Sequence, residues 1–392
     1  MFNALHNKIL KRHLTIKKEQ NFNALNTALF ALKNPHSKIK TIHITGTNGK
    51  GSTAATLALI LQKAGYKVGL YTSPHIISPL ERIQINGKNI SARSMCAAVK
   101  KVLAAEDAAL NYFEVLSAAA FYYFAKNKVD YAVIEAGLGG TMDATNVVTP
   151  AVSIITSVGL DHKDVLGGTL RKVAANKAGI IKPGVPCVCG KLPGAPKSVI
   201  ETVAKKNKSK LVYAQPSNIK VSYKTLSTTF KYKNKNYTVS LLGEAQAFNA
   251  ALAIEAAALL GEKSPSKLNV KIPARFEIIK HNGITLILDG AHNPDAIQNL
   301  RKNLSGYKDC AIVFAAMKDK DVKGMLGVLK KQKIYLTQLA AQRAATAADY
   351  GVAKTQIIPL KKVIKMALSG KLGKTVVFTG SFYLAAEVKK YL

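Results

Sequence analysis

A glycine-rich stretch, GTNGKGS at residues 46–52, has the residue types that hold phosphate groups. Its glycines, Gly46, Gly49 and Gly51, let the backbone approach an anion closely, and backbone N–H groups at the start of a helix attract negative charge. The Lys50 ammonium can reach the outer phosphates of a nucleotide, and the Ser52 hydroxyl can ligate Mg²⁺. The stretch therefore suits a nucleotide.

The spacing of this loop departs from the usual phosphate-binding loop, G-x-x-x-x-G-K-[ST]. Ile44 occupies the position six residues before Lys50, where a glycine is expected, and Gly51 separates the lysine from Ser52. Taken alone, the loop leaves two interpretations open, an ordinary turn between a strand and a helix or a nucleotide site of another kind.

Acidic and basic side chains follow other strand-like runs of the chain. The apolar run 131–135 ends in Glu135 and leads into glycines. A carboxylate at the C-terminal end of a parallel strand faces the crevice where α/β proteins bind ligands, and as a Mg²⁺ ligand it would have the Walker B role. His162 follows the next strand-like run, and Lys177 lies in a helical pattern before a Gly-Pro-rich exit. A solvated surface residue is the alternative for each one alone.

The C-terminal part of the chain has three further polar turns. ILDGAHNPDA places Asp289 at a strand end, with His292 and Asn293 at the start of a helix. PARFEII holds Arg275, and VVFTGSFYLAAEV places Ser381 after a strand. Each turn could hold an anion. Ordinary helix caps are the alternative, since Asn-Pro suits a helix start in any protein.

Strand and helix patterns alternate along the chain, which predicts an α/β architecture with mainly parallel sheets. The predicted strands are residues 42–45, 68–72, 131–135, 152–156, 284–289, 311–314 and 375–379, and the clearest helices are 52–64, 113–126, 248–260 and 382–391. Strong alternation around an Asn/Lys turn predicts an antiparallel hairpin at 222–241, inserted into the first domain. Turn residues at 261–273 predict a first domain of residues 1–273 and a small Rossmann-like domain of residues 274–392.

The composition limits the classes of protein that fit. The chain of 392 residues exceeds what one core usually supports, and its 48% hydrophobic content is ordinary for a globular protein. We see no secretory signal in the first 14 residues and no apolar stretch long enough for a bilayer, so we expect a cytoplasmic protein without a membrane partner. The four scattered cysteines, including Cys187 and Cys189, predict buried thiols rather than a disulfide framework or a zinc site.

The charge is strongly basic, with 57 Lys and Arg against 22 Asp and Glu and a formal net charge of +35. Such a field suits nucleic acid or anionic substrates. However, the basic residues are mainly lysines spread from end to end, whereas nucleic-acid readers rely on arginine for bidentate contacts. We therefore expect a solvated Lys-rich surface and no nucleic-acid partner, with attraction of polyanionic substrates as a by-product.

An ordered series of motifs resembles the folylpolyglutamate synthase/dihydrofolate synthase family of the Mur-ligase superfamily. The motifs are GTNGKGS, YTSPHIISPLERIQING, YFEVLSAAAFYYF, EAGLGGTMDATN, LDHKDVLG, KAGIIKPGVP, RFEI, DGAHNPDA, MKDKD and FTGSFYLAAEV, and with them the resemblance spans residue 22 to the C-terminus. The family's loop is written G-T-N-G-K-G-[ST], which accounts for the unusual spacing. The resemblance implies an N-terminal P-loop ATPase domain with a Mur-ligase-like central sheet and a small antiparallel sheet. It also implies a smaller Rossmann-like C-terminal domain and an active site in the cleft between the two.

The resemblance implies a role for each matching position. The ATP-binding residues would be Gly46, Thr47, Asn48, Gly49, Lys50, Gly51, Ser52, Gln246, Asn249, Arg275 and Asp289. Two Mg²⁺ ions would be held by Ser52, Glu135, His162 and Lys177, the last of these carbamylated. The substrate side would comprise Ser73, Pro74, His75, Arg82, Phe113, Glu114, His292 and Ser381, with Lys50, His162, Lys177 and His292 as the catalytic residues. Two positions depart from the family pattern, Ala274 where glycine is common and Asn176 where glutamate is common.

The implied activity is that of an ATP-dependent acid–amino-acid ligase in folate biosynthesis and one-carbon metabolism. It would add L-glutamate to dihydropteroate and, in γ linkage, to reduced folates through an acyl phosphate, acting as a monomer with ATP, Mg²⁺ and K⁺. The alternatives are a monofunctional folylpolyglutamate synthase, a muramyl-peptide ligase of the same superfamily, and a basic nucleic-acid-binding P-loop ATPase. A non-catalytic paralogue is disfavoured because every candidate position is filled.

Overall fold

The structure, a computed structural model, describes residues 2–12 and 22–392. The first 14 residues, for which no secretory signal is predicted, lie partly outside these residues. The α-helices are α1 (Phe2–Leu10), α2 (Asn23–Ala31), α3 (Lys50–Lys63), α4 (Ala92–Ala105), α5 (Tyr112–Lys126), α6 (Lys163–Leu166), α7 (Leu170–Ala178), α8 (Gly194–Lys206), α9 (Glu244–Leu259), α10 (Pro294–Asn303), α11 (Val322–Leu329), α12 (Ala347–Tyr350), α13 (Leu360–Leu368) and α14 (Phe382–Lys389). The strands are β1 (Lys40–Thr45), β2 (Val68–Tyr71), β3 (Ile83–Ile85), β4 (Lys88–Asn89), β5 (Tyr131–Glu135), β6 (Val152–Ile155), β7 (Cys187–Cys189), β8 (Leu211–Tyr213), β9 (Ser217–Ser222), β10 (Ser227–Tyr232), β11 (Lys235–Val239), β12 (Lys267–Leu268), β13 (Glu277–His281), β14 (Ile284–Leu288), β15 (Cys310–Phe314), β16 (Lys333–Leu336) and β17 (Thr375–Thr379).

The described chain divides into two compact units. The first runs to Asn218 and also takes Phe230–Thr238 and Ala247–Leu268. The second takes Ile219–Thr229, Val239–Gln246 and Asn269–Leu392.

The first unit is built on an eight-stranded sheet in the order β4-β3-β2-β5-β1-β6-β7-β8. Strands β2, β5, β1, β6, β7 and β8 run parallel, and β3 and β4 add an antiparallel edge. The central strands read as nearly continuous apolar runs because helices cover both faces of a parallel sheet. Ile44 of β1 pairs with Glu135 of β5, so the glycine loop and the end of β5 lie side by side at one edge of the sheet.

The second unit has a five-stranded sheet in the order β13-β14-β17-β15-β16. Strands β13 and β14 form an antiparallel pair, and the other neighbours run parallel. Leu288 pairs with Phe378, which brings the turn after β14 beside the turn after β17. Helix α10 packs on this sheet through Ile297 and Leu300, both fully buried in the apolar cluster of the unit. This Rossmann-like pattern confirms the prediction for the C-terminal part.

A four-stranded sheet in the order β12-β11-β10-β9 contains the predicted hairpin as β10 and β11. Its turn residues, Lys233 and Asn234, have φ of +44° and +62°, the left-handed pair of a two-residue hairpin turn. The sequence did not predict β9 or β12. Helix α3 begins at Lys50, earlier than predicted, and α9 begins at Glu244, whose carboxylate suits the positive end of the helix dipole.

All four cysteines are buried free thiols, as predicted, and Cys187 Sγ lies 3.8 Å from Cys189 Sγ. None of the helices in the described ranges combines the length and apolar character needed to cross a bilayer.

Candidate active site

The glycine loop forms a tight turn between β1 and α3. Gly49 caps the helix with φ of +89°, a conformation that favours glycine, and the Asn249 side chain fills the space that a Cβ there would need. Lys50 is the first residue of α3, and its Nζ donates to the Gly46 carbonyl over 3.0 Å. The lysine ammonium and the N-terminal amides of α3 therefore face the same turn, which makes it positive.

The segment after β6 holds this turn in place. The Thr47 N–H donates to the Ser157 carbonyl over 3.0 Å, and the Asn48 N–H donates to Ser157 Oγ over 2.9 Å. Thr47 Oγ1 also donates to the Gly159 carbonyl and accepts from the Gly159 N–H, at 3.0 and 2.9 Å. The turn is thus fixed by two neighbouring strand ends, as a preformed anion site requires.

Glu135 lies at the end of β5 and is buried. Its Oε2 accepts the Ser73 N–H over 3.0 Å and lies 3.5 Å from the position that a Cβ on Gly51 would occupy. The buried Ser52 follows directly in the first turn of α3. One carboxylate therefore contacts the loop of Ser73 and adjoins the first turn of the helix that carries Lys50.

Lys177 lies near the C-terminal end of α7 and is only 2% exposed. Burial, reinforced by the nearby Lys50 charge, lowers the pKa of Lys177 to about 7, and the carboxylates of Asp161 and Asp143 oppose this shift. A large fraction of the amine is therefore neutral at physiological pH. Lys50, Lys177 and Asp161 accordingly form one electrostatic cluster.

His162 precedes α6 in a left-handed conformation, with φ of +49°. Asp161 Oδ1 accepts the His162 N–H over 2.9 Å and lies 4.0 Å from His162 Nε2. We did not single out Asp161 from the sequence, although its place beside His162 at a strand end was a usable signal.

Two further residues shape the loop after β5, Asp143, which was not predicted, and Asn176, which was noted only as a departure from the family pattern. Asp143 is buried and accepts the Leu138 N–H over 2.8 Å, the Thr145 N–H over 3.0 Å and the Thr145 hydroxyl. Asn176 Oδ1 accepts the Gly140 N–H over 2.8 Å. The asparagine that replaces the family glutamate therefore fastens α7, with its neighbour Lys177, to this loop.

The predicted substrate-side residues lie around β2, β3 and the start of α5. Arg82 Nε donates to His75 Nδ1 over 2.9 Å, and the Phe113 ring occupies the space beside Gly137, where a Cβ would lie 2.6 Å from it. Glu114 accepts the Asn111 N–H over 2.8 Å as a capping box of α5, so this contact of Glu114 is structural. Pro74 is exposed in the loop after β2.

The second unit holds four predicted residues, and two of them, Arg275 and His292, form a cluster with one aromatic ring. Arg275 Cζ lies 4.7 Å from the centroid of the Phe382 ring, and the His292 ring lies 5.6 Å from it. Asp289 accepts the Phe276 and Ala291 N–H groups over 2.8 and 2.9 Å, and burial raises the pKa of Asp289 while Arg275 opposes the shift. Ser381 is the N-cap of α14 and accepts the Tyr383 N–H over 3.1 Å. Phe382, the centre of this cluster, was not predicted.

Two neighbours of Arg275 have left-handed backbones. Ala274 has φ of +54° and Phe276 has φ of +50°, and Ala274 is fully buried. A non-glycine residue in this region costs about 1 kcal/mol. The alanine that departs from the family pattern thus keeps the conformation that glycine favours.

The predicted nucleotide residues Gln246 and Asn249 both lie on α9, about one turn apart. Asn249 adjoins the glycine loop through Gly49. Gln246 belongs to the second unit and Asn249 to the first, and the Gln246 N–H donates to the Gly243 carbonyl over 3.0 Å.

The residues that could bind Mg²⁺ are identified by their ligand chemistry, because the described side chains do not form a complete metal site. Within residues 2–12 and 22–392, no group of three or more His, Cys, Asp or Glu side chains is placed to hold a metal. Glu135 and Ser52 nevertheless offer oxygen ligands, which Mg²⁺ prefers, and it commonly takes its remaining ligands from water and phosphate. These two residues fit such an ion, whereas Lys177 fits only after its amine has become a carbamate.

Comparison with known proteins adds independent information. Residues 44–257 match the Mur ligase middle domain, and residues 274–382 match the Mur ligase glutamate ligase domain. The chain is 34% identical over 397 residues to the dihydrofolate synthase/folylpolyglutamate synthase of Bacillus subtilis, covering 92% of each protein. It is 29% identical over 367 residues to the Escherichia coli protein of the same name, covering 89% of this chain and 86% of the relative.

Solved structures agree with this similarity. An FPGS–AMPPCP–folate complex superposes with a TM-score of 0.85 at 30% identity, covering 100% of this chain and 99% of the other. E. coli FolC in complex with DHPP and ADP superposes with a TM-score of 0.87 at 27% identity, covering 100% and 97%.

Proposed function

The chain belongs to the dihydrofolate synthase/folylpolyglutamate synthase family of the Mur ligases, and we propose that it is an ATP-dependent ligase that adds L-glutamate to dihydropteroate and to reduced folates. The Glu135 carboxylate supports this proposal most directly, because it joins the loop of Ser73 to the first turn of the phosphate-loop helix. A ligase that activates a carboxylate with ATP needs its acceptor beside the terminal phosphate. We also propose that the reaction takes place in the cytoplasm, because all four cysteines are free thiols.

The reaction proceeds in two steps, formation of an acyl phosphate and formation of the amide. An oxygen of the acceptor carboxylate attacks the γ-phosphorus of ATP, the bond to the β-γ bridging oxygen breaks, and ADP leaves an acyl phosphate behind. The amine of glutamate then attacks the acyl carbon through a tetrahedral intermediate, loses a proton and expels inorganic phosphate as the amide forms. Phosphoryl transfer depends mainly on alignment and on neutralised charge, because the transferred group carries several partial negative charges.

The residues of the first unit supply that charge and alignment. Lys50 and the N-terminal amides of α3 neutralise the outer phosphates, and the fixed turn avoids reorganisation during the reaction. Glu135 and Ser52 would hold Mg²⁺, which when bound neutralises charge shared between the phosphates. The carbamate of Lys177 would act with His162 as a second set of ligands. The neutral fraction of the Lys177 amine at a pKa of about 7 is the form that reacts with CO₂.

The residues of the second unit suit the incoming amino acid and the nucleotide. His292 Nδ1 donates to the Gly290 carbonyl over 2.8 Å, which leaves the lone pair of the neutral ring on Nε2. We assign His292 and Ser381 to the placement of glutamate. Arg275 would contact phosphate, and Asp289 would align the nucleotide.

An acceptor assay tests the function. ADP release should require both glutamate and either dihydropteroate or tetrahydrofolate, and Lys50→Ala should lower its rate on the order of 10²-fold or more. The control is Lys63→Ala, which removes an exposed lysine at the other end of α3. ADP release that persists in Lys50→Ala, or that responds to a muramyl peptide or to nucleic acid instead of a pterin, would refute the proposal. Turnover of tetrahydrofolate alone would identify a monofunctional folylpolyglutamate synthase.

A further inference from the structure

Arg82 lies between the loop of Ser73 and β3, and among residues 2–12 and 22–392 no carboxylate pairs with its charge. Only 9% of the residue is exposed, and burying a guanidinium is costly unless a carboxylate pairs with it. Over the described part of the chain, no carboxylate lies within ion-pair distance of Arg82, whereas Arg12 and Arg343 pair with Glu106 and Asp319. A buried cation of this kind suits an anionic ligand.

Two neutral side chains, His75 and Tyr112, contact the guanidinium. Arg82 Nε donates to His75 Nδ1 over 2.9 Å, so the imidazole hydrogen of His75 is on Nε2. Burial, followed by the charge of Arg82, lowers the pKa of His75 to about 4, which keeps this ring neutral at physiological pH. Arg82 Cζ also lies 5.8 Å from the centroid of the Tyr112 ring.

The carboxylates of this region have other partners. Glu81 accepts the backbone N–H groups of Ile76, Ile77 and Ser78 at 2.8 to 3.0 Å. Glu106 forms two hydrogen bonds with Arg12 at 2.6 and 2.8 Å. Neither of these two carboxylates is therefore a partner of Arg82, which suits a ligand.

Arg82 is hydrogen-bonded through its backbone to the loop of Ser73, which we call the acceptor loop. Its carbonyl accepts the Thr72 N–H over 3.0 Å, and the next residue, Ser73, donates its own N–H to Glu135. Two backbone hydrogen bonds, made by the adjacent residues Thr72 and Ser73, thus connect Arg82 to Glu135.

The two acceptors differ in the number of carboxylates, and a buried cation such as Arg82 can distinguish between them. Dihydropteroate carries a single carboxylate, which is the one that reacts. A reduced folate carries two on its glutamate, of which the γ-carboxylate reacts and the α-carboxylate does not. We propose that Arg82, with the Nε2–H of His75, binds the non-reacting α-carboxylate of a glutamate-bearing folate and thereby favours reduced folates over dihydropteroate. This inference rests on the proposed function.

The first experiment compares the two acceptors in Arg82→Gln. The KM for tetrahydrofolate should rise about 10- to 100-fold, as expected when a charge-assisted hydrogen bond is lost, while the KM for dihydropteroate changes less than about twofold. Arg82→Lys, which keeps the charge but not the planar fork, should give an intermediate KM. Arg93→Gln on the exposed face of α4 is the matched control and should leave both values unchanged.

A second experiment uses the wild-type protein and so does not depend on the folding of a variant. Tetrahydrofolate whose α-carboxylate is replaced by a primary amide should show the same rise in KM, and in Arg82→Gln the amide should bind as well as the acid. Equal changes for both acceptors, or a full additional loss with the amide in Arg82→Gln, would overturn the assignment. If the wild type turns over neither acceptor, the proposed function fails instead, which is a different result.

Discussion

The Ser73 backbone N–H donates to Glu135 Oε2 over 3.0 Å, which connects the turn after β2 to the end of β5. The same oxygen lies 3.5 Å from the position that a Cβ on Gly51, in the first turn of α3, would occupy. The strands β2, β5 and β1 are parallel neighbours in one sheet. The acceptor loop after β2, the carboxylate at the end of β5 and the phosphate loop after β1 therefore lie close together at one edge of the sheet. The chemistry that we assign to the chain depends on this convergence.

Glu135→Gln tests the charge of this residue apart from its hydrogen bond. The glutamine carbonyl can still accept the Ser73 N–H, but the negative charge that suits a metal is lost, so kcat should fall on the order of 10²-fold with little change in melting temperature. Glu201→Gln, an exposed change on α8, is the control. A variant with normal kcat at saturating Mg²⁺ would show that Glu135 is structural.

Lys177 should form a carbamate. Its pKa of about 7 leaves a reactive neutral amine, whereas an ordinary lysine is almost wholly charged at pH 7. In ¹³C-bicarbonate buffer, a carbamate resonance should appear in the NMR spectrum of the wild type. It should disappear in Lys177→Arg together with most of the ligase activity. Lys172→Arg, on the exposed face of the same helix, should keep both. A resonance that survives in Lys177→Arg would place the carbamate elsewhere.

Phe382 should hold Arg275 in place through its ring. A cation–π contact is worth about 1 kcal/mol, so Phe382→Leu should lower kcat/KM for ATP roughly fivefold, and Phe382→Tyr should restore it. In an Arg275→Ala background, Phe382→Leu should have no further effect on kcat/KM. The neighbouring Tyr383→Leu is the control, because that side chain is 57% exposed. Equal losses in both backgrounds would mean that Phe382 acts only by packing.

His43 should make the fold sensitive to acid. It is fully buried on β1, its Nε2 lies 2.8 Å from Thr145 Oγ1, and burial followed by the charge of Lys182 lowers its pKa to about 3. Between pH 6.5 and pH 3 the unfolded chain binds a proton that the folded chain does not. The free energy of unfolding should therefore fall as the pH drops through this range, by about 1.4 kcal/mol per pH unit.

Urea unfolding at pH 7.5 and pH 5.5 measures this effect. The loss of stability on acidification should be about 1 kcal/mol smaller in His43→Gln than in the wild type, because the variant lacks the titrating group. His281→Gln, a change at the end of β13, should behave like the wild type. Identical losses in all three proteins would exclude His43 as the cause.

The sequence was informative where the local pattern determines the structure. The apolar run that ends in Glu135 predicted both the strand and the position of its carboxylate, because a parallel strand buried on both faces is read directly from composition. Lys177 was likewise placed correctly on a helix. Short elements escaped prediction, since β7 has only three residues, too few to show a period.

Contacts between distant parts of the chain could not be read from the sequence. The ring of Phe382 lies against Arg275, more than a hundred residues away, and nothing in FTGSFYLAAEV distinguishes this phenylalanine from a core residue. Asn176 looked like the loss of a carboxylate, but the structure gives its amide oxygen to the Gly140 N–H. The unpaired state of Arg82 likewise appears only when the partners of nearby carboxylates are known.

Transfer of an acceptor oxygen to phosphate tests the central claim most directly. Dihydropteroate labelled with ¹⁸O in its carboxylate is supplied with ATP and glutamate, and the released inorganic phosphate and the pterin product are analysed by mass spectrometry. If the carboxylate attacks the γ-phosphate, each dihydrofolate formed should be accompanied by one phosphate that carries one ¹⁸O atom. Unlabelled phosphate alongside dihydrofolate would contradict an acyl phosphate, and ADP release without dihydrofolate would contradict the ligase itself.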